Sequence, residues 1–131
     1  MVNRVLLPWA GVVLLASGAR VSAHHSLTAA YDSSKHVEIQ GVVREFVWRN
    51  PHSYVRIDVT TKDGTTQTWT LEWGSSNQLS ASKYPVTRTT LRVGDTLIAS
   101  GEPGRDKEAR RVRIFSLKRP TDGWVWEGVV D

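Results

Sequence analysis

"SYVRIDVTTKDGTTQTWTLEWG", residues 53 to 74, alternates apolar and polar side chains on both sides of one turn. The first half sends Val55, Ile57 and Val59 to one face and Arg56 and Asp58 to the other. The second half groups Trp69, Leu71 and Trp73 against Thr70 and Glu72. A period of two over this length is the pattern of a half-buried strand. Lys62-Asp63-Gly64 between the halves is a hairpin signal, because glycine supplies the positive φ that such a turn needs. The stretch therefore predicts two antiparallel strands with one apolar face.

Working outward, "HVEIQGVVREFVWR" (residues 36 to 49) starts with Val37 and Ile39 on one face, and its phase slips near Gly41. That slip predicts a bulge or bend in a first strand. "SSNQLSASKY" (75 to 84) breaks the strand pattern; its Ser and Asn residues can cap a short helix, and Pro85 lies just past its end. "LRVGD" (91 to 95) turns into a fourth strand, "TLIASGEP", and "GRDKEA" turns into a fifth, "RRVRIFSLK". Five strands with one short helix between the third and fourth predict an all-β OB-like barrel over about residues 36 to 119. A plain five-strand meander is the alternative. The expected core is Val55, Ile57, Val59, Trp69, Leu71, Val112 and Ile114. Residues 120 to 131 read as a C-terminal tail, with Trp124 and Trp126 covering an open end of the barrel.

The N-terminal side carries a different signal. Arg4 precedes the uncharged run "VLLPWAGVVLLASGA" (5 to 19), and "VSA" ends at Ala23 with small residues where a signal peptidase cuts. The run falls short of the roughly 20 apolar residues that span a bilayer. Residues 1 to 23 are therefore expected to be a signal peptide, with periplasmic or secreted localisation and no stable membrane anchor after cleavage. A retained anchor is the alternative. Residues 24 to 35 ("HHSLTAAYDSSK") form a polar arm leading into the barrel.

Cleavage removes two arginines and no acid, leaving 15 Lys plus Arg against 13 Asp plus Glu, a net charge of +2. A near-neutral, exported domain gives no reason to expect nucleic-acid binding. The chain has no cysteine, so the core alone must hold it. Its one methionine is Met1, so the mature part has no thioether sulfur either.

Two of the four histidines, His24 and His25, follow the expected cut. His24 would then carry a free amine beside its own imidazole, a pair that can chelate one metal ion. His52, in "WRNPHSY" between the first and second strands, is the candidate for a second imidazole. Pro51 restricts the preceding Asn50, which favours a turn able to hold His52 in one direction. An all-nitrogen set without sulfur suits Cu(II). The expected metal site is thus His24, His25 and His52, with Cu(II) as the ion and the metal as the partner. The plain alternative is an exposed turn histidine and a cleavage-site accident. His36 reads as solvated, while Glu72 and Glu127 can lend an oxygen without any spacing that selects them. Trp48 can pack in the core or stack on a ligand.

The pairing of "AHHS" with "NPH", together with "GVVREFVWRNPHSY" and "LRVGD", resembles a family of small exported bacterial proteins of uncharacterised function, over most of residues 23 to 119. The resemblance implies an exported barrel and no established activity. Besides metal binding, an envelope binding or adaptor module using the barrel face stays open, with its protein partner unknown. An oxidative copper enzyme is a third reading. No Ser-His-Asp order or paired acid and base supports other catalysis.

Overall fold

The computed structural model describes residues 29–130; the expected signal peptide, His24 and His25 lie outside them. Among the described residues the domain is built from β1 (Val37–Val47), β2 (Tyr54–Thr60), β3 (Thr66–Glu72), the short helix α1 (Ser76–Ser80), β4 (Thr96–Pro103), β5 (Arg111–Arg119) and β6 (Trp124–Glu127), with a 3-10 turn at Lys107–Ala109. β1 pairs antiparallel with both β2 and β4, β4 pairs with β5, and β3 meets β5 in parallel to close the ring. This is a closed five-stranded OB-like barrel with its helix between β3 and β4, as the periodicity predicts. β6 extends the sheet beyond it, pairing antiparallel with β5.

The core follows the alternation. Val55, Ile57, Leu71, Val112 and Ile114 are all fully buried, and Val59 and Trp69 pack partly buried against them. Leu97, Ala99 and Leu117 complete the inner faces of β4 and β5, and Leu79 seals one side from α1. The helix is held by a reciprocal cap in which Ser75 Oγ accepts from the Gln78 N–H and the Gln78 side chain accepts from the Ser75 N–H. The β1 slip appears as a register shift against β2 between Val43 and Glu45, a few residues past Gly41. The bend lets β1 serve two sheet neighbours.

Closure forces one glycine. A Cβ on Gly101 of β4 would stand 1.9 Å from the carbonyl oxygen of Arg113 on β5, beside a second register shift. Gly101→Ala should therefore destabilise the fold by roughly 1–3 kcal/mol or more, since the atoms it would meet are backbone. Urea unfolding checks this; a midpoint equal to wild type would mean that the strands part without cost.

The C-terminal stretch departs from a simple tail. Trp126 is fully buried, packs edge-on against Trp73 with ring centroids 5.0 Å apart, and donates its indole N–H to Ser82 Oγ at 3.2 Å. Arg119 organises the turn into β6, pairing with Asp95 at 2.9 Å and Asp122 at 2.8 Å while lying over the Trp124 ring.

Candidate metal centre

His52 sits half-buried in the β1–β2 loop. Local hydrogen bonds hold that loop. Ser53 is completely buried, and its hydroxyl both accepts from the Arg49 N–H at 3.2 Å and donates to the Arg49 carbonyl at 3.1 Å. The Ser53 N–H donates to the Gly74 carbonyl, and the Trp73 N–H returns to the Ser53 carbonyl at 3.0 Å. Ser76 Oγ donates to Asn50 Oδ1 at 2.9 Å, and Arg49 Nε donates to the His52 carbonyl at 3.3 Å. The Asn50–Pro51 peptide is cis. His52 is therefore carried on a loop whose neighbouring backbone groups are engaged on both sides.

His52 lines a small cleft together with Glu72, Trp73, Arg113 and Val130. Glu72 is the last residue of β3 and has a second attachment. The phenol of Tyr31 donates to one of its carboxylate oxygens, and Arg111 of β5 donates to the other. Tyr31 is only 1 % exposed, and the Arg111 guanidinium lies 5.8 Å from its ring centroid. Around it the arm is tied to the β4–β5 connection: the Asp32 N–H donates to the Pro103 carbonyl, and the Arg105 N–H donates to the Ala30 carbonyl, each at 2.9 Å. The described end of the arm is thus latched to a carboxylate that borders the His52 cleft.

The Tyr31 phenol is pushed well above its ordinary range, first by burial and then by the hydrogen bond to Glu72 and its charge. A raised phenol pKa means that the folded state holds the proton more tightly than the unfolded chain. The latch then contributes its full stability below about pH 10, the ordinary phenol value, and loses it as the pH rises further. Between about pH 9 and 11, stability should fall more steeply in wild type than in Tyr31→Phe. Parallel urea midpoints across that range would contradict the shift.

The remaining candidates separate clearly. His36 is exposed, and Glu127 is exposed on β6. Trp48 packs on the core side, edge-on to Phe46 with centroids 5.8 Å apart. Among the described residues no three His, Asp or Glu side chains gather as a metal-holding group. His52 is the one expected ligand that falls within them. The pattern of residues left Tyr31 and Arg111 without roles; a lone aromatic in an otherwise small, polar arm is the signal that marks Tyr31.

Fold and site define a small OB-like barrel whose N-terminal arm docks on the β4–β5 connection and on Glu72. Residues 12–113 match the model of a family of unknown function, DUF6152, and the chain belongs to that family. No curated protein and no solved structure matches it.

Proposed function

We propose that the protein is exported and binds one Cu(II) through the amine and imidazole of His24 and the imidazole of His52, with His25 assisting. The observation that carries this reading is the latch: Tyr31 is fastened to Glu72, which also borders the cleft lined by His52. Seven positions separate His24 from Tyr31, a reach of roughly 23–25 Å when extended. That length of chain suffices for His24 to meet the cleft that Glu72 shares with His52. The amine and imidazole of one residue form a chelate with little chain entropy to lose, and a loop histidine supplies the third nitrogen.

The absence of cysteine and of methionine after Met1 removes the soft ligands that favour a thiolate or thioether Cu(I) site. Storage, delivery or protection in the periplasm fits a site of this kind. The test is a Cu(II) titration of exported protein whose N-terminal sequence reads HHSLTA. Tryptophan fluorescence should quench to saturation at about one equivalent, since Trp73 lines the cleft. Binding should weaken on acidification, because protons compete for the same nitrogens. Unsaturating quenching, or an N-terminus that retains Met1, would overturn the reading.

A further inference from the structure

A second feature occupies the outer face of β2 and β3, independent of copper. Cross-strand register places Glu45, Arg56, Thr70 and Arg111 in one row across β1, β2, β3 and β5. Two strand spacings separate Arg56 from Arg111, about 10 Å. Arg49 from the β1–β2 loop joins them, and the guanidiniums of Arg49 and Arg56 lie 5.1 and 5.3 Å from the Tyr54 ring centroid. Arg49, Tyr54, Arg56, Thr70, Glu72 and Arg111 line one open groove, and Arg56 carries it into a second groove lined also by Arg44, Glu45 and Thr68.

We propose that this track binds an acidic oligosaccharide, whose carboxylates are received by Arg49 and Arg56 beside Tyr54. The protein's own carboxylates show the fit. Arg56 holds Glu45 at 2.8 Å, and Arg111 holds Glu72. The Arg56–Glu45 pair is about half exposed on both sides, and exposed pairs are weak, so a ligand carboxylate exchanges for Glu45 readily. Among the described residues no carboxylate pairs with Arg49, and nothing engages the Thr70 hydroxyl, which lies in the row between the two arginines. Guanidinium forks match carboxylates, and a hydroxyl between them suits a sugar.

Nucleic acid fits this face less well. Single-strand binding relies on open aromatic platforms for base stacking. Here Tyr54 carries two guanidiniums, while Phe46 and Trp48 pack against the core. The β2–β3 face is also where OB barrels take oligosaccharides, an analogy of fold alone.

The test is calorimetric titration of the full processed chain, without copper, with a galacturonate hexamer at about 20 mM salt, where screening is slight. Saturable binding is expected, at least about tenfold weaker for the methyl-esterified hexamer, which lacks the charge. Arg49→Gln combined with Arg56→Gln should weaken it by a similar factor with an unchanged circular-dichroism spectrum, because both side chains are exposed. Lys118→Gln, on an exposed position of β5 outside the groove, should bind as wild type. Absence of saturable binding overturns the proposal. So does equal affinity for the ester, an unaffected double variant, a loss in Lys118→Gln as large as in the double variant, or tighter binding of oligothymidylate.

Discussion

Acetylating the His24 amine should weaken Cu(II) binding by roughly 100-fold or more, the largest effect expected of any change to the proposed site. Acetylation converts the terminal amine into an amide nitrogen with no free amine to anchor it, which keeps its proton and binds metal poorly at neutral pH. It therefore removes the chelate while leaving every side chain in place. His52→Ala should cost less, at least about tenfold, because the His24 chelate survives. The fold should tolerate that change: His52 is half-buried, and the loop is held by Ser53, Ser76 and Arg49 rather than by the imidazole. Competition titrations against a chelator of known affinity measure both effects. Equal affinity in the processed, acetylated and His52→Ala proteins would reduce the histidine pair to what happens to follow a cleavage site.

Trp126→Ala should be the most damaging single truncation in the domain, lowering stability by roughly 3–5 kcal/mol. The side chain is fully buried, meets Trp73 edge-on and donates its indole N–H to Ser82. Its loss opens a cavity between the barrel and the chain after α1, and it strands the Ser82 hydroxyl only partly, because that group also meets the Leu79 and Tyr84 carbonyls. Trp124→Ala should cost much less: Trp124 is half-buried and leans on Arg119, which keeps its partners Asp95 and Asp122. Urea unfolding of the two variants distinguishes a structural sixth strand from a dispensable tail. Equal, small losses would mean that the barrel closes without residues 124–127.

Alternation made the barrel strands legible because each has one wet face and one dry face. Val55, Ile57, Leu71, Val112 and Ile114 announce themselves by their spacing, and all are buried. β6 lacks that contrast. "WVWE" is too short to establish a period, and its role depends on pairing Leu117 with Trp126, a contact with a partner that local pattern does not reveal. The arm is similar: Ala30, Tyr31 and Asp32 show no strand pattern, yet they are tied to residues 103–105 by hydrogen bonds that depend on where the β4–β5 connection lies.

By itself, the sequence determined the chemistry available: which histidines exist, that no sulfur ligand follows Met1, and which side chains line the inside of each strand. These are properties of residue type and local period, set before any long-range contact forms. Only the tertiary structure decided what those residues meet. Glu72 reads as one outward residue of a strand, but closure of β3 on β5 brings it to Arg111, and docking of the arm brings it to Tyr31. Arg49, Tyr54, Arg56 and Thr70 read as ordinary surface, and the loop and the cross-strand register join them into one groove. The physical reason is separation along the chain: Tyr31 and Glu72 stand 41 positions apart, and only docking of the arm on the closed barrel cancels that distance.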